Sequence, residues 1–106
     1  MKNKSRRYEI LLPSQFNDGA EIPDDLLGEA TDEFVEHFGA VSFEKQIIDG
    51  QWREGGTLFR DKLSKLVLDV ADTADTRKWM KAYRDRWKAR LNQLELWLVS
   101  FAITIE

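Results

Sequence analysis

A chain of 106 residues, 42% hydrophobic and carrying four Trp and six Phe, has apolar mass for one compact core and no length for a second. The absence of Cys removes disulfides, thiolate metal ligands and cysteine nucleophiles together, and suits a reducing, cytoplasmic compartment. A formal charge of −3 argues against a general nucleic-acid binder.

The chain opens on Met1-Lys2-Asn3-Lys4-Ser5-Arg6-Arg7, which is basic, but only Ile10, Leu11 and Leu12 follow before Pro13. That is far short of a secretory apolar region or a membrane span, so residues 1–6 read as a flexible basic tail, 7–106 as one domain, and no membrane partner is expected. Over 7–12, Tyr8, Ile10 and Leu12 alternate as one side of a first strand. Asn17-Asp18-Gly19 tolerates positive φ and marks a turn. Pro23, with Asp24 and Asp25 in the first turn, opens a helix over 23–38 whose core stripe is Leu26, Ala30, Phe34 and Phe38, and Gly39 stops it.

Alternation resumes at once with Val41, Phe43, Lys45 and Ile47 in a strand reaching Trp52, with Gly50 expected at a bulge. Glu54-Gly55-Gly56-Thr57 is a hairpin signal. The return strand to Val70 is apolar on both faces at Leu66-Val67-Leu68. Asp72, Thr73, Asp75 and Thr76 are candidate caps for a second helix ending near Leu91, with Trp79, Tyr83, Trp87 and Leu91 at i+4 steps. A last strand over 95–105 sets Trp97, Val99, Phe101, Ile103 and Ile105 on one face, and Leu96 and Leu98 on the other.

This β-α-β-β-α-β order predicts an α+β, ferredoxin-like domain: a four-stranded antiparallel sheet with two helices on one face, joined by right-handed crossovers. Apolar groups on the second sheet face would be left in water, so a homodimer is expected.

The charges sort by helix. Asp25, Glu29, Asp32 and Glu36 line one stripe of the first, and Arg77, Lys81, Arg84 and Lys88 a stripe of the second at the same spacing. The acidic stripe falls opposite its own apolar face and should meet solvent, while the basic stripe is lateral and open to a partner. Most charge runs are simply solvated faces that keep a protein dispersed. RNA recognition lacks support, because the third strand offers no stacking aromatics. His37, the only histidine, borders the apolar stripe as a partly buried flanking residue, and one His without Cys makes a zinc site implausible. Asp69, Asp72 and Asp75 are explained by capping and turns.

Gly50-Gln51-Trp52-Arg53, with Gly55-Gly56, Arg60-Asp61 and the preceding Phe38-Gly39-Ala40-Val41-Ser42, resembles small uncharacterised bacterial protein families that share a Gly-Gln-Trp-Arg hairpin. The resemblance implies the fold order and no activity. Trp52 beside Arg53 places an aromatic face next to a planar cation, the pairing enriched at binding hot spots. The simpler alternative packs Trp52 under the hairpin and pairs Arg53 with Glu54 or Asp61.

The sequence therefore predicts a small accessory or regulatory module that binds a protein partner through Trp52, Arg53, Arg77, Lys81, Arg84 and Lys88, with no catalytic residue, metal or cofactor. The competing reading is a small enzyme or ligand-binding protein of the dimeric α+β-barrel type, with a cavity lined by some of Phe43, Trp52, Arg53 and His37. Nucleic-acid binding through the basic second helix ranks third.

Overall fold

The alternation of Tyr8, Ile10 and Leu12 becomes β1 (Ser5–Pro13) in a computed structural model of the chain. It describes the backbone of residues 4–39 and 42–106, and side chains there except at 42–52, 54 and 57–62. The elements that follow are α1 (Asp24–Phe38), β2 (Ser42–Glu54), β3 (Thr57–Ala71), α2 (Ala74–Arg90) and β4 (Leu98–Ile103). The strands form one antiparallel sheet in the order β2-β3-β1-β4. The α+β order expected from the sequence is thus present.

Register decides which side chains share the core. Tyr8 lies opposite Leu68 and Ile10 opposite Leu66, which sends these four to the same face. Ala30 and Phe34 of α1 and Met80, Tyr83 and Trp87 of α2 close the same cluster from above. Each large apolar group so buried stabilises by roughly 1.5–3 kcal/mol relative to exposure. The Tyr83 hydroxyl donates to the Ala30 carbonyl at 2.7 Å, so the one polar atom on that buried ring is satisfied where the helices touch. Burial, and next the Glu33 carboxylate, pushes this phenol well above its ordinary pKa.

Local chemistry ends the helices as expected. Gly39 sits at φ 84° after α1, and its N–H donates to the Val35 carbonyl at 2.8 Å. Thr73 caps α2, its hydroxyl accepting from the Thr76 N–H at 3.1 Å. Phe16 and Ala20 close the Asn17-Asp18-Gly19 turn by a 2.7 Å backbone bond, and Gly19 takes φ 90°.

Several boundaries and pairings differ from the sequence reading. Ladder pairing starts at Ser5, inside the segment read as a tail, because Arg6 is held by Asp72 at 3.1 Å. The irregularity in β2 falls between Glu44 and Ile47, while Gly50 pairs regularly with Asp61. The last strand is shorter than 95–105, although Trp97 still accepts a backbone bond from Leu11 at 3.1 Å. The acidic stripe Asp25, Glu29, Asp32 and Glu36 is exposed as expected. It is not idle, however: Glu29 takes Arg90 through two bonds of 2.9 and 3.0 Å, and Glu33, beside the stripe, takes Arg86 at 2.8 Å, so the antiparallel helices are laced together. The helix rotation that allows this also lays the Arg90 guanidinium 4.2 Å from the Trp87 ring centroid.

The sheet face away from the helices mixes charge and apolar surface. Arg7 pairs with Asp69 at 2.7 Å and Lys65 with Glu9 at 3.2 Å, while Trp97 and Phe101 are exposed there and Ile105 is exposed beyond the end of β4.

Candidate functional site

The basic stripe of α2 divides between a groove and the open surface. Arg77, Lys81 and Arg84 stand over β1 and β4 and enclose a groove of about 260 Å³ with Arg6, Tyr8 and Ser100. Lys88, at the far end of the stripe, does not line it. Register explains the partners: Tyr8 lies opposite Ser100 and Arg6 opposite Ala102, and Arg6 is two residues from Tyr8, on the same face of β1. The Arg6 Nη1 donates to the Ser100 hydroxyl at 3.2 Å, and its Nε to Asp72 at 3.1 Å. Arg77 reaches the same Asp72 oxygen at 2.9 Å, so two guanidinium groups share one carboxylate. Hydrogen bonding from Arg6, then from Arg77, holds the Asp72 carboxyl below its ordinary pKa.

Tyr8 forms the floor of this groove and is 4% exposed. Its hydroxyl has no hydrogen-bond partner among the described residues. Burial raises its pKa, against the opposing pull of Arg6 and Arg77, so the phenol stays protonated at neutral pH and can donate. The sequence reading missed Tyr8, since alternation identifies a core position but not an unanswered hydroxyl.

A second groove, of about 360 Å³, lies where the start of α1 crosses the end of β1. Leu12 and Leu27 supply apolar walls, Gly28 leaves the helix surface open, and Asp24, Asp32 and Ser64 add polar atoms at the edge. A Cβ built at Gly28 meets nothing within 4 Å, so the groove is bare there. Thr31 also lines it, its hydroxyl donating back to the Leu27 carbonyl at 3.0 Å. A glycine inside a helix costs stability, and that is the signal in the sequence by which this groove could have been found.

The remaining candidates separate. His37 is exposed rather than partly buried and stacks on Trp79 with centroids 4.3 Å apart and planes 9° from parallel. It borders a shallow depression with Glu33, Glu36 and Arg86, and Arg53 is not part of it. Arg53 is exposed on β2 opposite Leu58, while the side chains of Trp52 and Phe43 lie outside the described residues. Among the described residues no group of three or more His, Cys, Asp or Glu could hold a metal ion. No described helix is long and apolar enough to cross a membrane.

No family model and no curated protein matches the chain. Among solved structures it is similar to a phage SAM lyase in complex with S-methyl-5'-thioadenosine, at 12% identity and a TM-score of 0.73, covering 100% of this chain and 94% of that chain. Identity that low speaks to the fold alone. The expectation of a regulatory module that binds a protein partner is corrected by this neighbour, which is an enzyme in complex with a small molecule.

Proposed function

We propose that this chain is a small enzyme or ligand-binding protein, and that its ligand class is the sulfur-bearing nucleosides typified by S-adenosylmethionine and S-methyl-5'-thioadenosine. The observation that carries the reading is the end-to-end structural correspondence with the phage SAM lyase. The order β2-β3-β1-β4 with two crossover helices supports assigning the domain to the ferredoxin-like class. A second copy covering Trp97, Phe101 and Ile105 belongs to this reading.

The α1 groove suits such a ligand. Its volume of about 360 Å³ falls within the roughly 300–1,000 Å³ of small-molecule sites, and its walls are mostly apolar with a few polar atoms at the edge. A purine face would lie on Leu12, Leu27 and Gly28. The ribose hydroxyls would meet Asp24 or Asp32, carboxylates that accept and do not donate.

Chemistry at a sulfonium also fits. When S-adenosylmethionine loses its amino-acid arm, the C–S electron pair stays on sulfur as S-methyl-5'-thioadenosine, and the carbon fragment loses a proton or closes on an internal nucleophile. No external acceptor is consumed. Positive charge disappears from sulfur in that step, so apolar walls such as Leu12 and Leu27 would favour it while the nearby carboxylates attract the cationic substrate.

The test is calorimetric titration with S-methyl-5'-thioadenosine, alongside chromatographic detection of that compound after incubation with S-adenosylmethionine. Saturable binding, with or without turnover, is the expected result. Absence of both binding and product at millimolar ligand overturns the proposal.

A further inference from the structure

We infer that the groove between α2 and the β1–β4 edge is a second binding site, built for one small oxyanion, a carboxylate or a phosphate. The inference does not depend on the nucleoside reading, because it concerns a different groove and a different chemistry.

Charge in the groove is not balanced from within. Arg6 and Arg77 share the single carboxylate of Asp72, Arg84 is engaged by Asp85 at 3.1 Å, and Lys81 has no ion pair among the described residues. Two positive charges are therefore left over at one small concavity. Asp72 already shows what these guanidinium groups hold: a carboxylate oxygen reached at 3.1 Å by Arg6 and at 2.9 Å by Arg77. Guanidinium groups keep further N–H donors after such bonds, and those donors suit a second oxyanion.

The floor adds an independent observation. Tyr8 is 4% exposed, and its hydroxyl lacks a partner among the described residues, a situation that costs free energy in the empty protein. Its phenol can donate to an anion, and the cationic side chains around it, Arg6, Arg77, Lys81 and Arg84, are what select an anion over a cation. The volume of about 260 Å³ lies below the roughly 300 Å³ at which drug-sized ligand sites begin, so a single carboxylate or phosphate group with a short substituent fits better than a nucleotide. The hydroxyl is closed to bulk water in the empty groove. To reach it, an oxyanion would have to displace the long, flexible side chains of Arg6, Arg77 or Lys81 that line the same groove.

The experiment is an NMR titration of the ¹⁵N-labelled full chain with inorganic phosphate and, separately, acetate, each at ionic strength fixed with chloride. Saturable shifts are expected around Tyr8, Lys81 and Ser100, and the anion that binds more tightly identifies the source chemistry. Tyr8→Phe, which deletes only the orphan hydroxyl, is expected to weaken binding about tenfold while melting at the same or a higher temperature than the parent. Lys81→Glu, at an exposed position, is expected to abolish binding with melting unchanged, and it carries the test if Tyr8→Phe folds poorly. Absence of saturable shifts with both anions overturns the inference. So does binding that Lys81→Glu leaves intact, or that a folded Tyr8→Phe binds as well as the parent, which would reduce the groove to ionic screening.

Discussion

The indole N–H of Trp87 donates to Glu33 at 2.6 Å across the interface of the two helices. The same carboxylate takes Arg86 at 2.8 Å on its other oxygen, so one acid ties a buried aromatic to a surface cation. Trp87 itself is fully buried. Its ring fills the core while its polar atom is answered at the edge, the arrangement that lets a Trp be buried cheaply.

Replacing Trp87 with Ala is expected to lower the unfolding free energy by about 3–5 kcal/mol, through lost burial and the cavity left behind. Urea denaturation followed by circular dichroism measures it. A loss below about 1 kcal/mol would mean that this face of α2 is not the core face.

Stability is expected to fall on acidification because of Asp72 and Asp69. Hydrogen bonds from Arg6 and Arg77 depress the Asp72 pKa in the folded protein, and those from Arg7 depress that of Asp69. A carboxylate whose folded pKa is depressed contributes stability that is complete above the unfolded value of about 3.9 and is lost as pH falls through the folded value. Melting temperature measured from pH 7 downward should therefore drop below about pH 4. The drop should be shallower in Asp72→Asn, which has already lost the ionised partner of Arg6 and Arg77. An equal slope in parent and variant would remove Asp72 from the acid response.

Periodicity made the elements legible and left the site mostly hidden, for a physical reason. Ala30, Phe34, Tyr83 and Trp87 could be placed in the core because helical spacing is a local property of the chain. Glu29 with Arg90, and Glu33 with Arg86, could not be paired, since that depends on how far each helix turns about its axis when the cores interlock. Likewise, the stripe Arg77, Lys81 and Arg84 was visible, but its convergence on Tyr8 depends on the register that sets Tyr8 opposite Ser100. Trp52 and Arg53 stood out by residue type alone, and Arg53 proves to be an exposed strand residue that lines neither groove.

Phe101→Asp is expected to break a homodimer. Phe101 is 44% exposed and lies opposite Arg7 on the face away from the helices, the face that also carries Trp97 at 58%. Covering such groups is favourable by roughly 25 cal/mol per Å² of apolar area, and a carboxylate at the centre would have to be desolvated. Light scattering should give twice the chain mass for the parent at micromolar concentration and the single-chain mass for the variant. A monomeric parent would remove the second copy from the reading.

Gly28 offers the sharpest check on the nucleoside groove, because one position there separates stability from binding. It lies inside α1, and a Cβ added to it meets nothing within 4 Å. Gly28→Ala is therefore expected to stabilise the protein by about 0.5–1 kcal/mol through reduced chain entropy and better helix propensity, while leaving room for a ligand. Gly28→Phe should fold equally well but fill the space beside Leu12 and Leu27 with its ring. Binding of S-methyl-5'-thioadenosine should then fall at least tenfold in Gly28→Phe and stay near the parent value in Gly28→Ala. If the parent binds the nucleoside and Gly28→Phe binds it just as well, the ligand sits elsewhere and the α1 groove is not its site. If Gly28→Ala destabilises the protein, the open helix surface at this position is itself wrong.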